Sequence, residues 1–91
     1  MDIRFDEEDV HVEGGIFCMF AFHEGRPITC HASLTIIADM EQVAVESGIK
    51  LKDKFATAKM LQPFFVKRIE SGDFDDENKS SIKLRYGDTG R

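Results

Sequence analysis

The side chains that could bind a metal or carry a reaction are two cysteines, three histidines and a run of acids. Cys18 and Cys30 lie on two apolar stretches separated by His23-Glu24-Gly25-Arg26-Pro27. Zinc sites recruit Cys and His in pairs such as CxxC or HxxxH, which set two ligands on one side of a turn or helix. Neither spacing occurs in this chain. Cys30 and His31 are consecutive, so on a strand they point to opposite faces and do not share one ion with Cys18 and His23. A nucleophilic thiolate needs an electropositive neighbourhood, and neither cysteine has one in sequence. The two thiols therefore read as reduced and packed as small hydrophobes. If Cys18 and Cys30 are cross-strand neighbours they lie within disulfide reach, which leaves a thiol pair geometrically open.

The acidic run Asp73-Phe74-Asp75-Asp76-Glu77-Asn78 invites a calcium reading. An EF-hand loop needs Gly at its sixth position and Glu at its twelfth. Counted from Asp73, those positions hold Asn78 and Leu84, so the run reads as a solvated loop. A basic segment, Lys50, Lys52, Lys54, Lys59, Lys67 and Arg68, is the candidate contact for phosphates. Binding of single strands would interleave exposed aromatics with those cations, and here the Phe residues fall on the apolar stripe instead. No nucleophile elbow and no phosphate loop occurs. The carboxylates cluster in flexible runs, where burial would not raise a pKa. The expectation is a chain without catalytic, metal or cofactor sites, and not an enzyme.

The elements that position these groups follow from charge and periodicity. Charge is segregated: residues 1–13 carry six acids against Arg4, a net −5. Residues 49–69 carry six cations against Asp53, a net +5, and residues 70–79 carry five acids against Lys79, a net −4. Contacts between acidic and basic segments account for this pattern without a ligand. The whole is acidic, at −5, which disfavours non-specific nucleic-acid or membrane binding. The longest apolar run is seven residues, too short to span a membrane, and the N-terminal stretch is acidic where a signal peptide would be basic. A cytoplasmic protein is expected.

Val10-His11-Val12 alternates and reads as a first strand, closed by Gly14-Gly15. Ile16–Phe22 is a second strand, apolar at seven consecutive positions and hence on both faces. A small domain covers one face of a sheet with its helices and has little left for the other, so this strand points to a partner. A three-residue loop, His23-Glu24-Gly25, pairs Phe20 with Ile28 and Cys18 with Cys30. It directs Ile16, Cys18 and Phe20 under the helices and leaves Phe17, Met19, Thr29 and His31 as the interaction face. A two-residue loop, Glu24-Gly25, shifts the register by one and separates the cysteines. We take the longer loop as the working expectation.

Ser33 is a candidate N-cap, and Ile36, Ile37, Met40, Val43 and Ala44 recur at helical spacing up to Ser47-Gly48. The alternation of Ala32, Leu34 and Ile36 is the competing, extended reading. A second helix begins between Leu51 and Asp53, with Phe55, Ala58, Leu61, Phe65 and Ile69 on one face. Pro63 kinks it or divides it in two. Ser71-Gly72 ends it, a polar loop spans 73–81, and Ile82–Tyr86 alternates as a last strand that returns beside the first. Residues 87–91 read as a frayed tail. Residues 1–91 thus form one α+β domain, a small antiparallel sheet of three to four strands with two helices on one face, in the order β-β-β-α-α-β.

Phe5, Phe17 to Phe22, Glu24-Gly25, Ile28-Thr29-Cys30, Phe55, Gly72 and Ile82 to Leu84 follow one another in a recognisable order. In this the chain resembles a family of short bacterial proteins grouped as domain of unknown function 1488. The chain departs from that pattern at Lys59, where Arg is usual, and at Pro63. The resemblance implies a small α+β fold and a bacterial cytoplasmic origin, and brings no activity, cofactor or catalytic residue. The expected function is a non-enzymatic interaction or regulatory module, with a homodimer through a sheet face as one form. The alternatives are a nucleic-acid-binding regulator using the basic segment, and an enzyme of unidentified chemistry.

Overall fold

A computed structural model describes residues 3–46 and 54–89 of the chain. Three strands run in sequence as an antiparallel meander: β1 (Ile3–Glu13), β2 (Ile16–His23) and β3 (Arg26–Ser33). Helices α1 (Leu34–Glu46) and α2 (Lys54–Glu70) follow, then a short strand β4 (Ser81–Lys83) and a 3-10 turn over Tyr86–Thr89. The fold class is α+β. The sheet order is β1-β2-β3-β4, and β4 runs parallel to β3, so the sheet is mixed rather than purely antiparallel. The last strand lies beside the third, not the first. The two helices between β3 and β4 supply the long crossover that a parallel neighbour requires.

β1 is longer than the Val10–Val12 segment because the acidic run is absorbed into a bulge. From Asp6 to His11 the chain advances five residues while its β2 partners advance two, from Phe20 to Cys18. The excess of three is odd, so Ile3 and Phe5 before the bulge face the same side as Val10 after it. The Asp6 carboxylate holds the bulge by accepting the backbone N–H of Glu8 (3.0 Å) and Asp9 (3.2 Å).

The β2–β3 turn overturns the three-residue loop. His23 pairs with Arg26, leaving a two-residue loop of Glu24 (φ 54°) and Gly25 (φ 80°). Both torsions are positive, as in the primed turn whose twist matches that of the strands it joins. The register moves by one: Met19 opposes Cys30, Cys18 opposes His31 and Phe20 opposes Thr29.

Ser33 caps α1, its hydroxyl accepting the N–H of Ile36 at 3.3 Å. Ile36, Ile37 and Met40 enter the core. Val43 and Ala44 side chains, the Ser47-Gly48 stop and the Leu51–Asp53 start lie outside the described side chains or residues. α2 is one helix with Pro63 inside it, on an exposed position, and it buries Ala58, Leu61, Phe65 and Ile69. Phe55 leaves the expected stripe and is 43% exposed, with the Lys54 ammonium 5.3 Å from its ring centre. Gly72 (φ 70°) ends α2: its N–H donates to Ile69 O and that of Asp73 to Arg68 O, the paired bonds of a glycine helix stop. One apolar cluster joins Phe17, Met19, Ala21, Ile28, Cys30, Ala32 and Ile82 of the sheet to residues of both helices.

Candidate functional site

The shorter turn decides which residues face the helices. Phe17, Met19 and Ala21 lie on the core side, and Phe17 and Met19 are 2% and 0% exposed. The face proposed from sequence therefore does not exist as a unit. Phe17 and Met19 are core, while Thr29 and His31 point to the opposite side of the sheet. That opposite side carries the rest of β2: Ile16, Cys18, Phe20 and Phe22. None of these four belongs to the helix-covered core cluster. Phe22 is among the exposed large apolar residues, and Ile16 and Phe20 are half-buried.

The neighbouring strands frame this apolar column. Register places Ser33, His31, Thr29 and Pro27 of β3 beside Ile16, Cys18, Phe20 and Phe22. On the other flank Glu13, His11, Asp6 and Arg4 of β1 stand beside the same four. Ser81 and Lys83 of β4 complete the face next to Thr29 and His31. One level of the sheet thus reads His11, Cys18, His31, Lys83 across its four strands. Cys18 is only 8% exposed between its two histidine neighbours. The His11 ring tilts toward Phe20, 6.4 Å between centres, and its Nδ1 lies 3.6 Å from an Asp9 oxygen.

The cysteines are free and lie on opposite faces, so the cross-strand thiol pair is ruled out. Burial pushes the Cys30 thiol up to about 12. Burial also raises the Cys18 thiol, with the Glu13 carboxylate adding to the effect. Neither environment favours a thiolate. Among the described residues no group of three or more His, Cys, Asp or Glu side chains is arranged to hold a metal ion.

Of the basic segment's described residues, Arg68 leaves the surface. Lys50 and Lys52 lie outside the described residues, and Lys54, Lys59 and Lys67 are exposed. Arg68 is 4% exposed and turned inward. Its Nε donates to Asp73 O at 2.9 Å, its Nη1 to Lys83 O at 3.0 Å and to Asp88 Oδ2 at 2.9 Å. Its Nη2 reaches Asp75 Oδ1 at 3.3 Å, and Arg85 reaches the same oxygen at 2.6 Å. The acidic loop and the basic helix thus meet, as the segregated charge suggested. Burial alone would raise the Asp75 carboxyl. The N–H of Lys83, the Arg85 hydrogen bond and the charges of Arg68 and Arg85 outweigh it and hold the group below its usual range. Asp76, hydrogen-bonded by the Ser80 side chain and by the N–H groups of Ser80 and Ser81, is also lowered. The described part of the expected frayed tail, 87–89, belongs to a 3-10 turn: the Asp88 carboxylate accepts the N–H of Arg85 at 2.8 Å and anchors the turn to Arg68. Sequence reasoning missed this cluster. A lone Arg one turn before a Gly stop, followed by Asp at 73 and 75, was the available signal.

A hollow of about 350 Å³ opens between the β2–β3 turn and the end of α2. Ile28, Ile69 and Phe74 contribute its apolar lining, and charged residues of both signs, Arg26 and Lys79 with Glu24 and Glu70, line it together with His23, Ser71 and Gly72. Arg26 is committed to Asn78 O at 2.7 Å. Among the described residues no helix is long and apolar enough to cross a membrane. Comparison of the chain with protein-family models, curated proteins and solved structures finds no match.

Proposed function

We propose that this chain is a small, non-enzymatic protein-interaction module that docks through the uncovered face of its sheet. The observation that carries this reading is the column Ile16, Cys18, Phe20 and Phe22 on the side opposite both helices. Burying one Phe side chain is worth about 1.5–3 kcal/mol, so two on one face make a credible anchor. Polar neighbours rim the column on both flanks, the usual arrangement of an interface. The sheet's edges, by contrast, are guarded. β1 presents the bulge Glu7-Glu8-Asp9, and Asp75 accepts the N–H of Lys83 on β4. Cysteines that cannot pair with one another fit a reducing, cytoplasmic setting.

The test compares two faces of one strand. Phe20→Thr with Phe22→Thr should leave the unfolding free energy within about 1 kcal/mol of the parent, because surface positions contribute little to the monomer. The same double variant should lose binding of a dye that reports exposed apolar surface. Met19→Ala, in the core, should cost about 2–5 kcal/mol. A double variant as destabilised as Met19→Ala would mean that the column serves the fold and not a partner.

A further inference from the structure

We propose that the partner seated on this face is a second copy of the same chain, related by a two-fold axis that runs along the strands between β2 and β3. This rests on the docking reading above and names its occupant. The face is complementary to itself in shape and in charge. The large apolar side chains are concentrated on β2, as Ile16, Phe20 and Phe22, beside the smaller Ser33, Thr29 and Pro27 of β3; at the level between them the sizes reverse, the small Cys18 lying beside His31. A two-fold axis along the strands lays β2 of each copy over β3 of the other, so at each level a larger side chain meets a smaller one. Phe20 then faces the partner's Thr29, and Phe22 the partner's Pro27.

Charge selects the same axis. Asp6 and Glu13 lie on the β1 side of the face, and Lys83 on the β4 side. Lys83 is exposed and makes no ion pair with the described residues. Rotation about an axis along the strands keeps the level of each residue and exchanges the two sides. Lys83, at the level of Cys18, comes over the partner's His11, with the partner's Glu13 and Asp6 to either side of it. A two-fold across the strands at the level of Cys18 would stack β1 on β1 and set Asp6 against the partner's Glu13, a like-charge contact that disfavours it.

Area sets the strength. Three strands about 4.8 Å apart, eight residues long at about 3.3 Å per residue, and the three-residue β4 give a flat face of about 430 Å² per copy. Two such faces bury about 850 Å², below the range of stable specific interfaces, which places the dimer in the weak, reversible class. Sheets packed in this way align to about 30°, the angle their own twist supplies.

The experiment is a charge exchange between two single variants of the full chain, read by sedimentation equilibrium. Lys83→Glu sets two like-charge contacts into the symmetric dimer, and Glu13→Lys does the same. Each alone should weaken self-association by on the order of tenfold. Mixed in equal amounts, the two variants form a heterodimer in which both contacts are again opposite in sign, and association should recover to within about threefold of the parent. A parent chain that stays monomeric at about 1 mM overturns the second copy as occupant, and the stability comparison of Phe20 and Phe22 against Met19 still judges the docking face. A parent that dimerises while the mixture fails to recover overturns the axis proposed here.

Discussion

Arg68 supplies the sharpest stability prediction. Arg68→Ala removes a 4% exposed guanidinium and abandons the groups it binds. Two are the main-chain carbonyls of Asp73 and Lys83, and three are the carboxylates of Asp73, Asp75 and Asp88, whose side chains are 51%, 23% and 21% exposed. Each lost bond to a charged partner is worth about 1.5–3 kcal/mol when the site is dry. Partial exposure of the carboxylates lets water replace some of this, so the total falls near the lower end of the 3–5 kcal/mol typical of a broken buried pair, about 3 kcal/mol. In urea, with a slope of about 1 kcal/mol/M for a chain of this size, the midpoint should fall by about 3 M. Arg68→Lys keeps the charge but loses the fork and should recover less than half of that difference. The sign with pH follows from Asp75. Its carboxyl is lowered in the folded chain, so its contribution is present above the unfolded value of about 3.9 and is lost as pH falls through the lower folded value. The gap between parent and Arg68→Ala should therefore narrow below about pH 4. A loss under about 1 kcal/mol at pH 7, or an Arg68→Lys variant equal to the parent, would refute the view that this fork ties α2, the acidic loop and the 3-10 turn together.

Glu24 occupies the left-handed region at φ 54°, a conformation that costs a residue bearing Cβ about 1 kcal/mol. Glu24→Asn or Glu24→Gly should raise the unfolding free energy by about 0.5–1 kcal/mol, and Gly25→Ala should lower it by about 1, both read from urea midpoints. If Glu24→Gly destabilises instead, the two-residue turn is wrong. With a disulfide reagent, Cys18 should react in the native state, slowly and faster as pH rises, whereas Cys30, fully buried with its thiol at about 12, should react only through unfolding. Equal native rates at the two positions would contradict their placement on opposite faces.

Much of this molecule was decided by local chemistry. Ser33 caps a helix because its hydroxyl can meet an N–H that the helix leaves free, and that is a property of four consecutive residues. Gly72 ends α2 because only Gly takes a positive φ at no steric cost. The apolar periods of 3.6 and 2 marked the helices, β3 and the Val10–Val12 end of β1, and an unbroken apolar run marked β2. Which face of β2 meets the helices, however, was not a local matter. Because β2 is apolar at every position from Ile16 to Phe22, its own pattern fits either side toward the helices. A single residue of loop length exchanges the two sets, since the period is two.

Tertiary packing made the choice. Ile28, Cys30 and Ala32 face the helices, and the core already holds Phe65, Leu61 and Ile69. Phe17, Met19 and the small Ala21 fill what remains, and Phe20 and Phe22 are turned outward. The odd bulge in β1 supports that register by keeping Ile3, Phe5 and Val10 on one side. Arg68 tells the same story for charge. In sequence it is one more cation in a basic run, and only the folding of residues 73–88 around the end of α2 draws it inward to three aspartates. The position of β4 beside β3 is likewise a tertiary outcome, because a strand of three residues carries too little pattern to specify its neighbour. The sequence by itself determined the order of the elements and the apolar character of both faces of β2. The fold determined which of the two stays uncovered, because strand register depends on contacts between segments distant in the chain.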